Sequence, residues 1–306
     1  PLPCPALKPC WLKSPLGPAL LHAGPLSQLR LGAPPCAMVG CCTCWRRFAA
    51  EWDKQRLDYD DFNNGEWINV FGSSSNRFLK DKTYFAAFRL SLALLMTGVY
   101  AWSLVESAES GEIACFAIFL THWMLTLQLL YHWFAWWTTR QADLMASGKK
   151  STSSAMPCSA RATWILQDVV IPGSFLVFLL YWVLVAPTTG GPPEPISYFT
   201  HGVNFLVVIV DVYLSRQPYD LLHGIYLAIL GIVYLLFTYI YYVSGGTDCS
   251  GRRYIYKSVD WNDPGSAGML AAILVVVVVP FVNVLFWFVV SQCFPQNYHK
   301  DVVSPA

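Results

Sequence analysis

Long apolar stretches alternate with short polar segments along most of this chain. A helix needs about 20 apolar residues to cross ~30 Å of hydrocarbon, because each residue advances it by ~1.5 Å. Three stretches reach that length without interruption, and three more contain scattered polar side chains. The pattern predicts an all-α polytopic membrane protein whose six spans lie at residues 84–105, 113–137, 164–186, 197–214, 222–243 and 268–290.

Composition and charge support this class. Of the 306 residues 55% are hydrophobic and 13% are charged, against about 25% charged in soluble domains. The net charge of +1 gives no indication of a nucleic-acid partner, so the expected partner is the lipid bilayer. Thirteen Lys and Arg residues flank the spans on the N-terminal side and three on the opposite side. We therefore expect both termini in the cytoplasm, with the protein in the plasma membrane or endoplasmic reticulum.

The segments outside the spans are expected to differ in character. Residues 1–45, rich in Pro and Leu, are expected to be a disordered leader or a gene-model extension. Residues 46–83 form a cytoplasmic juxtamembrane segment, and 291–306 form a cytoplasmic tail. Cysteines within 41–44 lie beside Arg46 and Arg47, so they are either candidates for S-acylation or free thiols. No paired cysteine and histidine spacing indicates a metal, and no cofactor is expected.

Two helices carry polar stripes. His201, Asn204, Asp211 and Ser215 are spaced by three, seven and four residues, which places them on one face of the fourth predicted helix. A second stripe on the second predicted helix comprises Thr121, Leu125, Gln128 and His132. Because polar side chains are costly against lipid, both stripes should face other helices or a wet cavity.

Thr121 and His201 are predicted at comparable depths, roughly 12 and 6 Å below the outer edge. A hydroxyl beside an imidazole forms a nucleophile–base pair, and Asn204 could orient the ring or stabilise an oxyanion. The alternative is that these groups only form hydrogen bonds between helices. The catalytic candidates are therefore Thr121, His201 and Asn204.

Other polar groups favour structural roles. Arg89 is expected either to extend to the interface or to pair with a carboxylate, for which Asp168 and Asp211 are candidates. Asn283 is expected to form hydrogen bonds between helices, and Gly224 and Gly231 are expected to permit close helix packing. His223 is expected at a surface or interface.

The loop at residues 244–265 reads SGGTDCSGRRYIYKSVDWNDPG, and its Gly, Asp and Pro content predicts an ordered, turn-rich segment. Cys249 in this loop and Cys115 both fall on the predicted outer side, where an oxidising compartment would allow them to pair. The loop is also a candidate surface for an extracellular partner.

Three segments resemble the rolling stone family of multi-pass membrane proteins: YFTHGVNFLVVIVDVYLSRQPY, FLTHWMLTLQLLYHW and the Gly-Gly-Thr-Asp loop. That resemblance implies a role in cell–cell (myoblast) fusion or muscle development. More distantly, Phe119-Leu120-Thr121 and Thr200-His201-Gly202 are similar to the androgen-induced membrane hydrolases, which cleave fatty acid esters of hydroxy fatty acids. That similarity implies a Thr nucleophile and a His partner, although Thr200 stands where those hydrolases have Asn.

Two functions are therefore expected. The first is a rolling stone-like integral membrane protein that acts in fusion or muscle development and needs no enzymatic activity. The second is an intramembrane threonine hydrolase whose acyl-lipid substrate lies between the helices, with Thr121 as nucleophile and His201 as base. A transporter or channel has less support, because no charged ring or broken helix pair is evident.

Overall fold

The computed structural model describes residues 48–49, 51–52, 62, 65–151, 153, 155–188 and 191–293, which all lie in one compact unit, Thr43–Ala306. The predicted leader, the acylation candidates within 41–44 and the tail beyond residue 293 lie outside the described residues. Secondary structure within the described ranges is helical, apart from one isolated bridge between Ser74 and Ser215.

In the part of the chain that the structure describes, six long helices form a bundle. They are α1 (Lys82–Glu109), α2 (Leu120–Ala146), α3 (Cys158–Val185), α4 (Pro195–Leu214), α5 (Leu221–Val243) and α6 (Pro264–Val290, continuing to Cys293). Three of them contain a π-helical turn, at Tyr181–Val185 in α3, Phe199–Val203 in α4 and Leu274–Val278 in α6. A short 3-10 segment at Ile113–Ile118 precedes α2, and another at Leu221–His223 forms the first turn of α5.

Local chemistry accounts for several helix ends. Asp81 precedes α1, and its side chain accepts a hydrogen bond of 2.7 Å from the Thr83 amide. Asp263 does the same for α6 by accepting from the Ser266 amide, and Pro264 occupies the first turn, where its missing N–H costs nothing. These caps satisfy amides that have no partner inside the helix.

Among the described residues, five helices are long and apolar enough to cross a membrane: α1, α3, α4, α5 and α6. The second helix differs from the predicted second span. It begins at Leu120 and extends to Ala146, whereas the prediction was 113–137. Residues Ile113–Ile118 form a 3-10 segment, although their composition is as apolar as that of a helix. The later end brings Arg140 and Asp143 into α2, which makes this helix more polar than its neighbours.

The helix α2 packs along both α1 and α3. Its predicted polar stripe does face inward, since Leu125, Gln128 and His132 are fully buried. The stripe on α4 is likewise internal, with Asn204, Asp211 and Ser215 buried. By contrast, large apolar side chains are exposed along α5 and α6, which is the distribution expected where a helix contacts lipid; they include Ile229, Leu236, Ile240, Val276, Phe281 and Phe288.

Arg89 forms a carboxylate pair rather than reaching the interface. It is fully buried in α1, and its Nε donates to Asp211 Oδ1 on α4 at 3.2 Å. Its Nη1 also donates to the Phe71 carbonyl and to Thr139 Oγ1, at 3.1 and 3.0 Å. Tyr131 donates to the other oxygen of Asp211 at 2.5 Å. The pairing alternative of the sequence analysis is thereby confirmed.

The expectation that His223 lies at a surface was wrong. Its ring is fully buried, and Nδ1 lies 2.6 Å from Asp168 Oδ2 on α3. Because Leu221–His223 forms a turn that packs against α3, the histidine faces into the bundle. The expectation for Gly224 and Asn283 was correct. A Cβ on Gly224 would lie 2.3 Å from Asn283 Nδ2, and Asn283 Oδ1 accepts from Tyr219 at 2.6 Å.

Candidate ligand cavity beneath the loop at 244–265

A cavity of about 560 Å³ lies between the helices at the end of the bundle that carries the loop at residues 244–265, here called the loop end. All six helices contribute to its walls. Met124, Gly173 and Leu227 form part of its apolar wall. They pack so closely that a Cβ on Gly173 would contact the side chains of Met124 and Leu227. The volume lies in the range of small-molecule sites, and the apolar wall suits a hydrocarbon chain.

The polar part of the cavity is acidic. Three glutamates, Glu106, Glu112 and Glu194, contribute to its lining and are called the acidic rim below. Its charged lining residues are these glutamates, and no Lys or Arg joins them in the described part of the wall. The electrostatic field therefore disfavours a ligand that carries its own carboxylate at this position.

Thr121 lies in the first turn of α2, on the wall of this cavity. The amide of the preceding residue, Leu120, donates to the hydroxyls of Tyr234 and Tyr256, each at 3.1 Å. Tyr234 in turn donates to the Ile118 carbonyl at 2.8 Å. The Tyr256 hydroxyl also interacts with the Thr121 side chain. Burial raises the pKa of the Tyr256 phenol, so it is a protonated donor near neutral pH.

Tyr256 belongs to the loop at 244–265, which the structure holds in a defined conformation. A disulfide joins Cys249 of the loop to Cys115 before α2, a pairing that the sequence analysis allowed without predicting it. Asp248 accepts from the Arg252 amide at 2.8 Å and from its Nε at 2.7 Å. Trp261 donates to Thr238 of α5 at 3.1 Å. The ordered, turn-rich loop is confirmed, and its Tyr256, Ser258 and Val259 also contribute to the cavity wall, which its sequence did not indicate.

His201 lies on the π-helical turn of α4 and lines the same cavity. Its ring stacks on Tyr181 of α3, with ring centroids 3.6 Å apart. Its Nδ1 is buried and has no hydrogen-bond partner in the part of the chain that the structure describes. Thr121 and His201 thus share one cavity, but no hydrogen bond joins them within the described residues.

Asn204 lies one turn further along α4 and is buried. Its Nδ2 donates to the Thr200 carbonyl at 3.0 Å, while its backbone carbonyl accepts from Gln128 of α2 at 2.9 Å. A π-helical turn shifts the backbone hydrogen bonds, and the Asn204 amide supplies a donor to one carbonyl beside that turn. Asn204 is not among the residues that line the cavity. The Asn204 side chain therefore bonds to the backbone of its own helix and does not reach the cavity.

A second imidazole in the cavity has a hydroxyl partner that the sequence analysis did not identify. His122 follows Thr121 and points to α1, where its Nε2 lies 3.4 Å from Ser103 Oγ. Its Nδ1 lies 2.6 Å from the Phe116 carbonyl, and its ring stacks on the Phe116 ring at 3.7 Å. The only signal in the sequence was that His122 points about 100° away from the Thr121 stripe. No spacing within one helix could have shown that Ser103 is its partner.

Comparison with known proteins identifies the family. A family model described as "Protein rolling stone" matches residues 48–305. The chain is also 27% identical, over 208 residues, to "Protein rolling stone" of Drosophila melanogaster, an alignment that covers 64% of this chain and 74% of that protein. No solved structure matches the chain. The matched region contains the whole helical bundle and the loop that contributes to its cavity wall, and this chain accordingly belongs to the rolling stone family of multi-pass membrane proteins.

Proposed function

We propose that this rolling stone-like protein binds a single-chain lipid ester in the cavity at the loop end and hydrolyses it. The observation that carries the proposal is that Thr121 and His201 line one cavity whose wall is partly apolar. The acyl chain would lie in the cavity against the apolar wall that includes Met124 and Leu227, and its ester would lie near Thr121. Thr121 is the nucleophile, and His201 accepts its proton through a rearrangement or a bridging water.

The cavity also supplies groups that suit acyl transfer. The protonated Tyr256 hydroxyl beside Thr121 is a donor for the negative charge that develops on the ester oxygen in the transition state. The buried, unpartnered Nδ1 of His201 leaves that ring able to bond to a ligand or water. Asn204 contributes indirectly, because its bond to the Thr200 carbonyl stabilises the turn that carries His201.

We further propose that α2 is a sixth span and that the loop end faces outward. At about 1.5 Å per residue its 27 residues measure roughly 40 Å, which exceeds the hydrocarbon thickness. Its polar side chains are largely covered by α1 and α3, so they need not contact lipid. The excess of Lys and Arg on the side opposite the loop end supports cytoplasmic termini, in the plasma membrane or the endoplasmic reticulum.

The test is turnover of a fluorogenic long-chain acyl ester by the full chain in lipid nanodiscs. Because Ser103 is a second hydroxyl in this cavity, the variants are made on a Ser103→Ala background. Relative to Ser103→Ala alone, we expect Thr121→Ala and His201→Ala each to lower the rate by at least about 10²-fold, the lower range for loss of a nucleophile–base step. Thr97→Ala on α1 is the matched control, since that hydroxyl bonds to the Ala93 carbonyl and is not a cavity residue. Unchanged turnover in both folded cavity variants would rule out the Thr121–His201 mechanism.

A role in cell–cell (myoblast) fusion or muscle development is a second candidate, and the loop at 244–265 supports it. The loop is held by a disulfide and exposes Arg253 and Lys257. An exposed loop held in this way suits an extracellular protein partner, because little ordering entropy is lost on binding.

This candidate is tested by replacing the exposed Arg253 and Lys257 with Ser, which leaves Cys249, Tyr256 and the Arg252–Asp248 pair in place, and by measuring fusion of cells that express the variant at normal surface levels. We expect fusion to fall with the loop variant and to persist with Lys149→Ser, a control outside the loop. Normal fusion by the loop variant would contradict a partner role for this surface.

A further inference from the structure

Ser103 and His122 lie in the same cavity as Thr121, yet neither the resemblance nor the proposed Thr121 mechanism uses them. Ser103 is on α1, six residues before its end, and its side chain is 4% exposed. Its hydroxyl lies 3.4 Å from His122 Nε2, a long hydrogen bond of the kind that often shortens when a ligand binds.

The tautomer of His122 follows from its other contact. The Phe116 carbonyl can only accept, so His122 Nδ1 must carry the proton in their 2.6 Å hydrogen bond. In the neutral ring Nε2 is then an acceptor, and it faces the Ser103 hydroxyl. Stacking on Phe116, with centroids 3.7 Å apart, fixes the ring plane as well.

This arrangement has the three parts of an activated nucleophile: a hydroxyl, an imidazole acceptor in contact with it, and a group that orients the imidazole. The hydroxyl–imidazole contact is direct, whereas Thr121 and His201 have no such contact within the described residues. Phe116 is held in turn, because Cys115 beside it forms the disulfide with Cys249.

We propose that Ser103 is a second nucleophile in this cavity, with His122 as its general base and the Phe116 carbonyl as the group that fixes its tautomer. The substrate class is a neutral acyl ester, as in the proposed function on which this inference rests. The chemistry is independent of Thr121.

The reaction is an ordinary two-step acyl transfer. Ser103 Oγ attacks the ester carbonyl carbon and its proton passes to His122 Nε2. The carbon–alkoxide bond then breaks, and the leaving alcohol takes that proton. Water attacks the acyl-Ser103 ester, gives its proton to His122, and the carboxylic acid leaves as Ser103 is reprotonated. The sum is ester plus water to acid plus alcohol.

The experiment is phosphonylation of the full chain in nanodiscs by a long-chain alkyl fluorophosphonate, with the modified residue mapped by mass spectrometry. We expect an adduct on Ser103 that is absent in Ser103→Ala and forms at least about 10²-fold more slowly in His122→Gln. Ser91→Ala on the same helix is the control, because its hydroxyl bonds to the Phe88 carbonyl outside the cavity.

A cysteine variant guards against loss of folding. In Ser103→Cys the thiol should react with iodoacetamide faster when His122 is present than in the double variant Ser103→Cys/His122→Gln, since the imidazole promotes thiolate formation. A merely structural hydrogen bond would leave that rate unchanged.

Each result has a distinct meaning. An adduct on Ser103 that depends on His122 supports this inference. An adduct on Thr121 alone leaves the proposed function standing and overturns the role of Ser103. An adduct on Ser103 that forms equally fast without His122 overturns the pair. Absence of any adduct on the folded chain overturns both proposals.

Discussion

The buried pair between Arg89 and Asp211 provides the sharpest test of how this bundle is held together. Both side chains are fully buried, and they connect α1 to α4 across 122 positions in the sequence. Replacing Arg89 with Met roughly retains the volume of the side chain and removes the cation. Asp211 then keeps the hydrogen bond from Tyr131 but loses its counter-charge in a low-dielectric interior.

The expected magnitude follows from this loss. Removing one partner of a buried ion pair costs about 3–5 kcal/mol of unfolding free energy, because the other charge stays buried without compensation. For a domain of this size ~1 kcal/mol corresponds to about 2–4 °C in Tm, so Arg89→Met should lower Tm by roughly 6–20 °C. The loss of donors to the Phe71 carbonyl and Thr139 acts in the same direction.

The double variant Arg89→Met/Asp211→Leu separates the two contributions. With both charges gone and volume retained, most of the lost stability should return, because replacing a buried pair by apolar groups is often neutral. Arg140→Met is the matched control. Arg140 is 41% exposed and pairs with Asp143 one turn away, so its removal should change the free energy by about 0–1 kcal/mol.

The assay is thermal unfolding of purified full-length variants in one detergent, followed by tryptophan fluorescence. A shift in Arg89→Met no larger than that in Arg140→Met would refute the reasoning, since it would mean that water or a rearranged neighbour satisfies Asp211. A double variant no more stable than Arg89→Met would also contradict it, because the cost would then come from packing instead of charge.

Three further results are expected. Gly224→Ala should lower the unfolding free energy by about 1–3 kcal/mol, because the new Cβ would overlap Asn283. Gly98 has open space around it, so Gly98→Ala should not destabilise the protein. Thermal unfolding of the two variants compares these expectations. Cys249→Ser should lower stability by about 2–4 kcal/mol in the same assay, and adding reductant to the wild type should reproduce the shift. Replacing the three glutamates of the acidic rim with Gln should raise turnover of an ester that carries a free carboxylate, relative to its methyl ester; an unchanged ratio would show that the rim does not select the substrate.

Sequence reasoning was most successful where one segment contains its own signal. Apolar length alone predicted the helical bundle, and the inward direction of the polar stripes on α2 and α4 followed from helical period. The start of α2 was missed because Ile113–Ile118 has the composition of a helix, although it folds as a 3-10 segment. The candidate site could be predicted only in part. Thr121 and His201 do share a cavity, but residue spacing could not show that they lack direct contact.

By itself the sequence determined the class of this protein, since hydrocarbon thickness sets the length of each apolar segment and the cost of exposed polar groups sets which face turns inward. It also indicated a carboxylate pair as one of two possible roles for Arg89. Only the tertiary structure decided that the carboxylate is Asp211, that the loop places Tyr256 beside Thr121, and that His122 contacts Ser103. The physical reason is that these partners lie on different helices or loops, and their contacts depend on how the helices rotate and pack, which no local pattern specifies.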